Sequence, residues 1–293
     1  MDETALAQVR IILVQPMGPL NVGSVARVMK NMGLRQLVLV APRCDRNEEQ
    51  ARKMAVHGID ILEAAQEVET LPEALAGCQR AIATTSRSRS VAIELEHPRT
   101  ALPWLLEAGP SALIFGSEDQ GLNNSQLQHA QRFVQIPSSD TYTSLNLAQA
   151  VAVCCYELYQ FAAFEGKQAG KRKIGGSGDQ MALNTFSPLE PSAPLEILEQ
   201  YYQHLETLLL KIGYLYPHTA ASRMAKFRLL FNRAQPSASE VAMLRGILRQ
   251  MEWALHHSTE CPGLTAEDES QIAAIQSQTS PSSIEHSGLG TDL

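Results

Sequence analysis

Val9-Arg-Ile-Ile-Leu-Val14, running directly into Gln15-Pro-Met-Gly-Pro-Leu-Asn21-Val-Gly23-Ser-Val-Ala-Arg27, is the stretch that decides the fold. The first run is short, apolar and β-branched, as a strand covered on both faces must be. A loop of turn-forming residues follows. After it, Val22, Val25, Met29 and Met32 mark one face of a helix, with Asn21 as its N-cap and Gly33 as its C′ residue. A buried strand passing through a short loop into an amphipathic helix is half of a parallel βαβ unit.

Working outward, the same rhythm recurs to about residue 164. Further strands are expected at Gln36–Val40, Arg80–Thr84, Ala112–Phe115 and Arg132–Ile136. Pro103 suits the first turn of a helix running to about residue 108, and Leu147–Phe164 is a long apolar run suited to burial against a sheet or another subunit. The expected fold class is α/β, a parallel sheet with helices on both faces. At residue 166 the pattern breaks into a Gly-, Lys-, Ser- and Pro-containing segment without period, which marks a linker over 166–194. Beyond it, Leu195–Leu210 and Ser239–Leu255 read as helices, the second capped by Ser239, and Arg223–Arg233 interleaves basic with apolar residues. The division is then a catalytic domain over 1–165, the linker, a small α-helical C-terminal domain over 195–258, and a polar acidic tail over 259–293 expected to be disordered.

Composition allows this. The chain has 293 residues, 44% hydrophobic and 19% charged, ordinary for a globular protein. Nothing approaches a membrane span, and the acidic, polar start before Ile11 does not resemble a signal peptide; a cytoplasmic protein without a membrane partner is expected. Cys44, Cys78, Cys154, Cys155 and Cys261 form no metal-ligand spacing, so no metal is expected. His57 and His97 have no visible partners and read as structural or solvent-facing.

The net charge of −7 is unevenly spread: residues 259–293 carry six acidic groups and no Lys or Arg, while residues 166–258 carry eleven Lys/Arg against seven Asp/Glu. Clustering of cations decides phosphate binding more than the total does. Overall acidity therefore permits a nucleic-acid partner.

Three segments fall at the carboxyl ends of strands, the edge where open α/β sheets bind ligands. They are the 15–27 stretch, Ile114-Phe-Gly116-Ser117-Glu118-Asp-Gln-Gly121-Leu122, and Ile136-Pro137 with Thr143-Ser144-Leu145-Asn146-Leu147-Ala148. Taken singly, each has a plain reading. Asn21 and Gly23 read as a cap and a turn, Arg27 as a solvated helix residue, Gly116 and Gly121 as turn glycines, and Ser144 or Asn146 as a cap. The loop after the first strand lacks G-x-G-x-x-G, which disfavours a dinucleotide site, and no G-x-S-x-G supports a hydrolase.

In this order and spacing the three segments together resemble the motifs of the SPOUT methyltransferases, in the branch that methylates ribose 2′-hydroxyls. Thr84-Thr85-Ser86-Arg87-Ser88-Arg89 resembles the corresponding loop of the bacterial TrmJ proteins. Arg228-Leu-Leu-Phe-Asn-Arg233 and Leu244-Arg-Gly-Ile-Leu-Arg249 resemble their helical extension, so the likeness spans about residues 8–255. One departure is Ser117, where that branch often has Arg. The resemblance implies a trefoil-knotted domain, an exception to the rule against threaded chains, and an obligate homodimer. It implies S-adenosylmethionine as cofactor, held by Thr84, Thr85, Ser86, Gly116, Ile136, Thr143, Ser144 and Leu145. It also implies methylation of the ribose at position 32 of the tRNA anticodon loop.

The functional positions carried over are Arg27, Ser144, Asn21, Glu118 and Asn146. A guanidinium is a reluctant base, so Arg27 is expected to orient the 2′-oxygen and a neighbouring phosphate. Glu118 and Asn21 are expected to anchor the motif loops, and Ser144 to contact the ribose or the arginine. Lys171-Arg172-Lys173 and the 223–233 segment are expected to hold tRNA. A related enzyme acting on ribosomal RNA or another tRNA position, and a non-catalytic RNA-binding protein, remain the alternatives.

Overall fold

In the computed structural model, residues 3–86, 94–107, 109–139, 141–172 and 190–257 are described. Seven strands form one all-parallel sheet: β1 Val9–Val14, β2 Gln36–Val40, β3 Gln66–Val68, β4 Arg80–Thr84, β5 Leu95–Glu96, β6 Ser111–Phe115 and β7 Arg132–Val134, in the order β3-β2-β1-β6-β4-β7-β5. The helices are α1 Glu3–Ala7, α2 Pro19–Asn31, α3 Glu49–Ala55, α4 Ile59–Ala64, α5 Leu71–Ala74, α6 Pro98–Ala101, α7 Asn124–Leu127, α8 Leu147–Arg172, α9 Leu195–Lys211, α10 Pro217–Ala234 and α11 Ala238–His256.

β1 lies between β2 and β6 in continuous parallel register. Ile11, Ile12 and Leu13 are fully buried, and β6 is buried along its whole length. Each such side chain contributes about 1.5–3 kcal/mol by leaving water. The β3 and β5 edge strands escaped the sequence reading because, at three and two residues, they are too short and polar to show a period.

α2 buries Val22, Val25 and Met29 as expected, and Gly33 follows it with φ +75°. Its start differs. Gly18 is the N-cap, Pro19 opens the first turn, and Asn21 is the third residue of that turn. Gly23 is no turn residue either: a Cβ there would stand 2.1 Å from the Ala51 carbonyl oxygen, so its bareness lets α2 lie against α3.

The expected helix at Pro103 begins earlier. His97 Nδ1 accepts the Arg99 N–H and caps α6, which passes into a 3₁₀ turn over Leu102–Leu106. Ser237, not Ser239, caps α11: its hydroxyl accepts the Glu240 N–H while Glu240 accepts the Ser237 N–H, a reciprocal capping box. α8 continues to Arg172, so the first residues assigned to the linker are helical. The remainder of that segment to Leu189, and the expected disordered tail from 259 onward, lie outside the described residues.

The chain groups into two compact units, Met1–Gly246 and Ile247–Leu293. Within the first, α9 and α10 are bound to the sheet by polar contacts. Leu195 N–H donates to the Cys78 carbonyl and Gly77 N–H to Glu196. Asn232 Nδ2 donates to the carbonyls of Gln128 and Ala130. These anchors precede β4 and β7, at the amino-terminal edge of the sheet.

Candidate active site

The carboxyl edge of the sheet carries a pocket. Its lining includes Thr84, Thr85 and Ser86 after β4, Gly116 to Leu122 after β6, Val134 and Ile136 at β7, and Thr143, Ser144, Leu145, Leu147 and Ala150 leading into α8. All eight residues expected around a cofactor are in this lining. Leu122, Val134, Leu147 and Ala150 were missed, because an apolar residue at a strand or helix end carries no signal separating pocket wall from core.

Each wall has a local cause. The loop after β6 folds back on itself as Ser117 and Gly121 bridge, with the Gly121 N–H on the Ser117 carbonyl at 2.9 Å. Gly121 has φ +66°, a conformation glycine adopts freely. A Cβ on Gly116 would lie 2.1 Å from the Gly121 carbonyl carbon and 2.3 Å from the Leu122 nitrogen. Only glycine permits that closure. After β4, the Thr84 hydroxyl donates to the Ile114 carbonyl and the Thr85 N–H to the Val134 carbonyl, tying three strand ends together. Ser86 Oγ lies 3.4 Å from Ser144 Oγ, within hydrogen-bonding reach at the pocket wall.

At its rim, Glu118 Oε2 accepts the Met17 N–H at 2.9 Å. Its Oε1 accepts the Gly18 N–H at 3.1 Å and Asn21 Nδ2 at 2.8 Å. Asn21 Oδ1 in turn accepts Asn146 Nδ2 at 3.0 Å, while Asn146 Oδ1 caps α8 by accepting the N–H groups of Ala148 and Gln149. The relay Glu118–Asn21–Asn146 therefore joins all three segments. Asn146 satisfies the capping reading and the functional one together: one face of the amide serves the helix, the other Asn21.

Ser117 bonds outside this relay. Its hydroxyl donates to Asp119 Oδ1 at 2.7 Å. That hydrogen bond, with Arg43 beyond it, holds the Asp119 carboxyl below its usual range. Arg43 also donates to Gln15, whose φ of +52° marks a strained turn at the end of β1, as functional edges often hold. Burial, and then the negative charge of Glu118, push the Cys44 thiol up to about 11, so it stays protonated.

Arg27 stands apart from the relay. It is exposed on α2, outside the pocket lining, with no side-chain hydrogen bond or ion pair among the described residues. Arg228, expected on an RNA-binding face, is buried and makes a two-point ion pair with Glu199 at 2.5 and 2.7 Å. Arg87, Ser88, Arg89 and Lys173 lie outside the described residues. No metal-binding group of His, Cys, Asp and Glu occurs among the described residues, and no helix among them is long and apolar enough to cross a membrane.

The SpoU rRNA Methylase family model matches residues 8–156, and the model for the C-terminal domain of the tRNA methyltransferase TrmJ matches residues 196–260. The tRNA (cytidine/uridine/adenosine-2′-O-)-methyltransferase TrmJ of Pseudomonas aeruginosa is 40% identical over 252 residues, 84% of this chain and 95% of its own. The tRNA (cytidine/uridine-2′-O-)-methyltransferase TrmJ of Pectobacterium atrosepticum is 38% identical over 250 residues, 84% and 98% of the two chains. The crystal structure of TrmJ from Z. mobilis aligns with a TM-score of 0.70 at 32% identity, covering 83% of this chain and 98% of that one. With the methylase model over half the sequence and such relatives matched over nearly their whole length, the chain belongs to the SpoU methylase family, in its TrmJ branch.

Proposed function

We propose that this protein is an S-adenosylmethionine-dependent tRNA methyltransferase that modifies the ribose 2′-hydroxyl of the pyrimidine at anticodon-loop position 32. The observation that carries the reading is the pocket at the carboxyl edge, walled by the second and third motif segments and the loop after β4, with the first segment tied to its rim through the Glu118–Asn21–Asn146 relay.

The lining fits a nucleoside cofactor. The pocket joins loop residues 116–121 and 143–145 to Leu122, Ile136 and Leu147, so loop segments that can read a base edge stand next to apolar residues for its faces. When bound, the cofactor supplies an activated methyl on a sulfonium. The protein's own task is placement of the ribose oxygen and management of its proton. We assign Arg27 to orient that oxygen and an adjacent phosphate, using the planar fork that lysine lacks. Its exposure, without a partner among the described residues, suits a group completed by RNA. Ser144, with its hydroxyl at the pocket wall beside Ser86, is assigned to the ribose. Glu118, Asn21 and Asn146 act as positioning residues that hold the loops.

We further assign a trefoil knot, on family membership and on a strand order that inserts β7 between β4 and β5. A homodimer is supported by exposed apolar side chains at the head of α2 (Met17, Leu20) and on α8 (Val153, Tyr156). A tRNA substrate supports a cytoplasmic location. The catalytic domain is taken as the sheet region and the helical extension as its RNA-binding partner.

The test is incubation of the purified full-length chain with unmodified tRNA and labelled cofactor, followed by mass spectrometry of nuclease fragments. A 2′-O-methyl at position 32 is the expected product. Transfer only to ribosomal RNA, or to none, would overturn the reading.

A further inference from the structure

The free end of the α9–α10 hairpin joins exposed aromatic and cationic side chains. The Glu199–Arg228 pair and the Asn232 contacts hold the start of α9 and the end of α10 against the sheet. The 17 residues of α9 rise about 25 Å at 1.5 Å per residue. The turn between the helices therefore lies at the far end from those anchors.

That turn is rigid. Gly213, with φ +75°, follows the helix end; its N–H bonds the Leu210 carbonyl, and the Leu215 N–H bonds the Leu209 carbonyl. Leu215 is buried at 1% exposure and acts as the plug of this helix stop. On either side of it, Tyr214 and Tyr216 are turned outward at 52% and 56% exposure. Each ring has a cationic or aromatic neighbour. The Arg223 guanidinium lies 5.6 Å from the Tyr214 ring centroid and donates to the Tyr214 carbonyl. The His218 ring stacks on Tyr216 at 6.0 Å and 25°.

The charge around the turn is of one sign. From Thr207 to Ser239 there is no Asp or Glu, while Lys211, Arg223, Lys226, Arg228 and Arg233 fall in the same stretch. Arg228 is consumed by Glu199. Arg223, Lys226, Leu230 and Arg233 are all exposed, and their spacings of three, four and three residues put them on one face of α10. A cationic stripe thus leads away from two exposed tyrosines.

We propose that this turn is a stacking platform for unpaired nucleotides of the RNA substrate, Tyr214 and Tyr216 receiving bases and the Arg223–Lys226–Arg233 stripe tracking the phosphates. It rests on the tRNA reading above. Aromatic faces beside a cationic track are what single-stranded nucleic acid needs, because every base offers a face to stack on and every link carries a negative charge. The anchors lie at the sheet edge opposite the pocket, so this platform grips RNA at a distance from the methylated ribose.

The test uses the full-length chain, cofactor and tRNA, comparing Tyr214→Ala/Tyr216→Ala, Tyr214→Phe/Tyr216→Phe and Arg223→Ala/Lys226→Ala with the unaltered protein. The Ala pair should weaken tRNA binding by about ten- to a hundredfold, with the rate at saturating tRNA unchanged and the Phe pair near normal. The cation pair should lower the dependence of affinity on salt. Ultraviolet cross-linking of unaltered protein should place nucleotides on the peptide containing Tyr214 and Tyr216. Normal affinity in the Ala pair, or cross-links elsewhere only, would overturn the proposal while leaving the enzyme reading standing. A change in self-association with tRNA affinity intact would assign the turn to protein contact and overturn it equally. An unaltered chain that neither binds nor methylates any tRNA would remove the enzyme reading itself.

Discussion

Asn146 Nδ2 donates to Asn21 Oδ1 at 3.0 Å across 125 residues of chain. Because Asn21 Nδ2 is already committed to Glu118, the direction of both amides is set, and the third motif segment is locked to the second through the first.

Asn146→Asp isolates that lock. A carboxylate still accepts from Ala148 and Gln149 and still caps α8, so the melting temperature should stay within a few degrees. Its other oxygen would face Asn21 Oδ1, and flipping Asn21 would set its oxygen against Glu118. Methyl transfer should fall at least about tenfold, the equivalent of about 1.4 kcal/mol of barrier. Asn146→Ala should in addition lose about 1 kcal/mol of stability through the missing cap. Parallel thermal melts and single-turnover assays decide; full activity in Asn146→Asp would reduce Asn146 to a cap.

For Arg27 the structural expectation and the functional one diverge. An exposed helix residue without a partner among the described residues should tolerate Lys or Ala with less than about 0.5 kcal/mol change in stability. Methyl transfer at saturating tRNA should nonetheless fall at least about a hundredfold in both, or about 2.7 kcal/mol. Near-normal single-turnover rates in Arg27→Lys would show that charge suffices without the planar fork.

Gly116→Ala should open the pocket wall. The added Cβ meets backbone of Gly121 and Leu122 at 2.1 and 2.3 Å, and backbone cannot rotate aside as a side chain can. A loss of about 1–3 kcal/mol is expected from the overpacking, with cofactor affinity lost by calorimetry. Gly121→Ala meets nothing within 4 Å, and should suffer only from its positive φ. Equal behaviour of the two variants would refute the steric account.

Glu199 predicts an acid-sensitive joint. Burial alone would raise its carboxyl, but Arg228 and His129 outweigh burial and lower it to about 2 from 4.5. A carboxyl whose folded value lies below its unfolded one stabilises the fold above pH about 4.5 and loses that contribution as pH falls toward about 2. Glu199→Gln should therefore melt lower at pH 7, leaving Arg228 buried without its countercharge, and show a shallower loss of stability between pH 4.5 and 2. Superimposable melting–pH curves for the two proteins would contradict the assignment.

The strands that carry the site were readable because both faces of a parallel sheet are covered: Val9–Val14 and Gln36–Val40 had to be continuous apolar runs. Helical period did the same for α2, α9 and α11. Family resemblance named Asn21, Arg27, Glu118, Ser144 and Asn146, since residue types at fixed offsets after strands survive as a pattern. Tertiary structure decided how three of them connect. Asn21 does not cap α2, because its amide is drawn to Glu118 and Asn146, partners that only the sheet order brings near. Gly23 and Gly116 had the appearance of turn residues; the absence of room beside Ala51 and Gly121 makes each a site of close backbone approach. Arg228 belonged to a basic run by sequence, yet the folded hairpin turns it inward onto Glu199 and leaves Tyr214 and Tyr216 outside. Periodicity reports which face of an element is buried. Which distant group meets a given side chain there depends on strand order and helix docking, and those arise only from packing the whole chain.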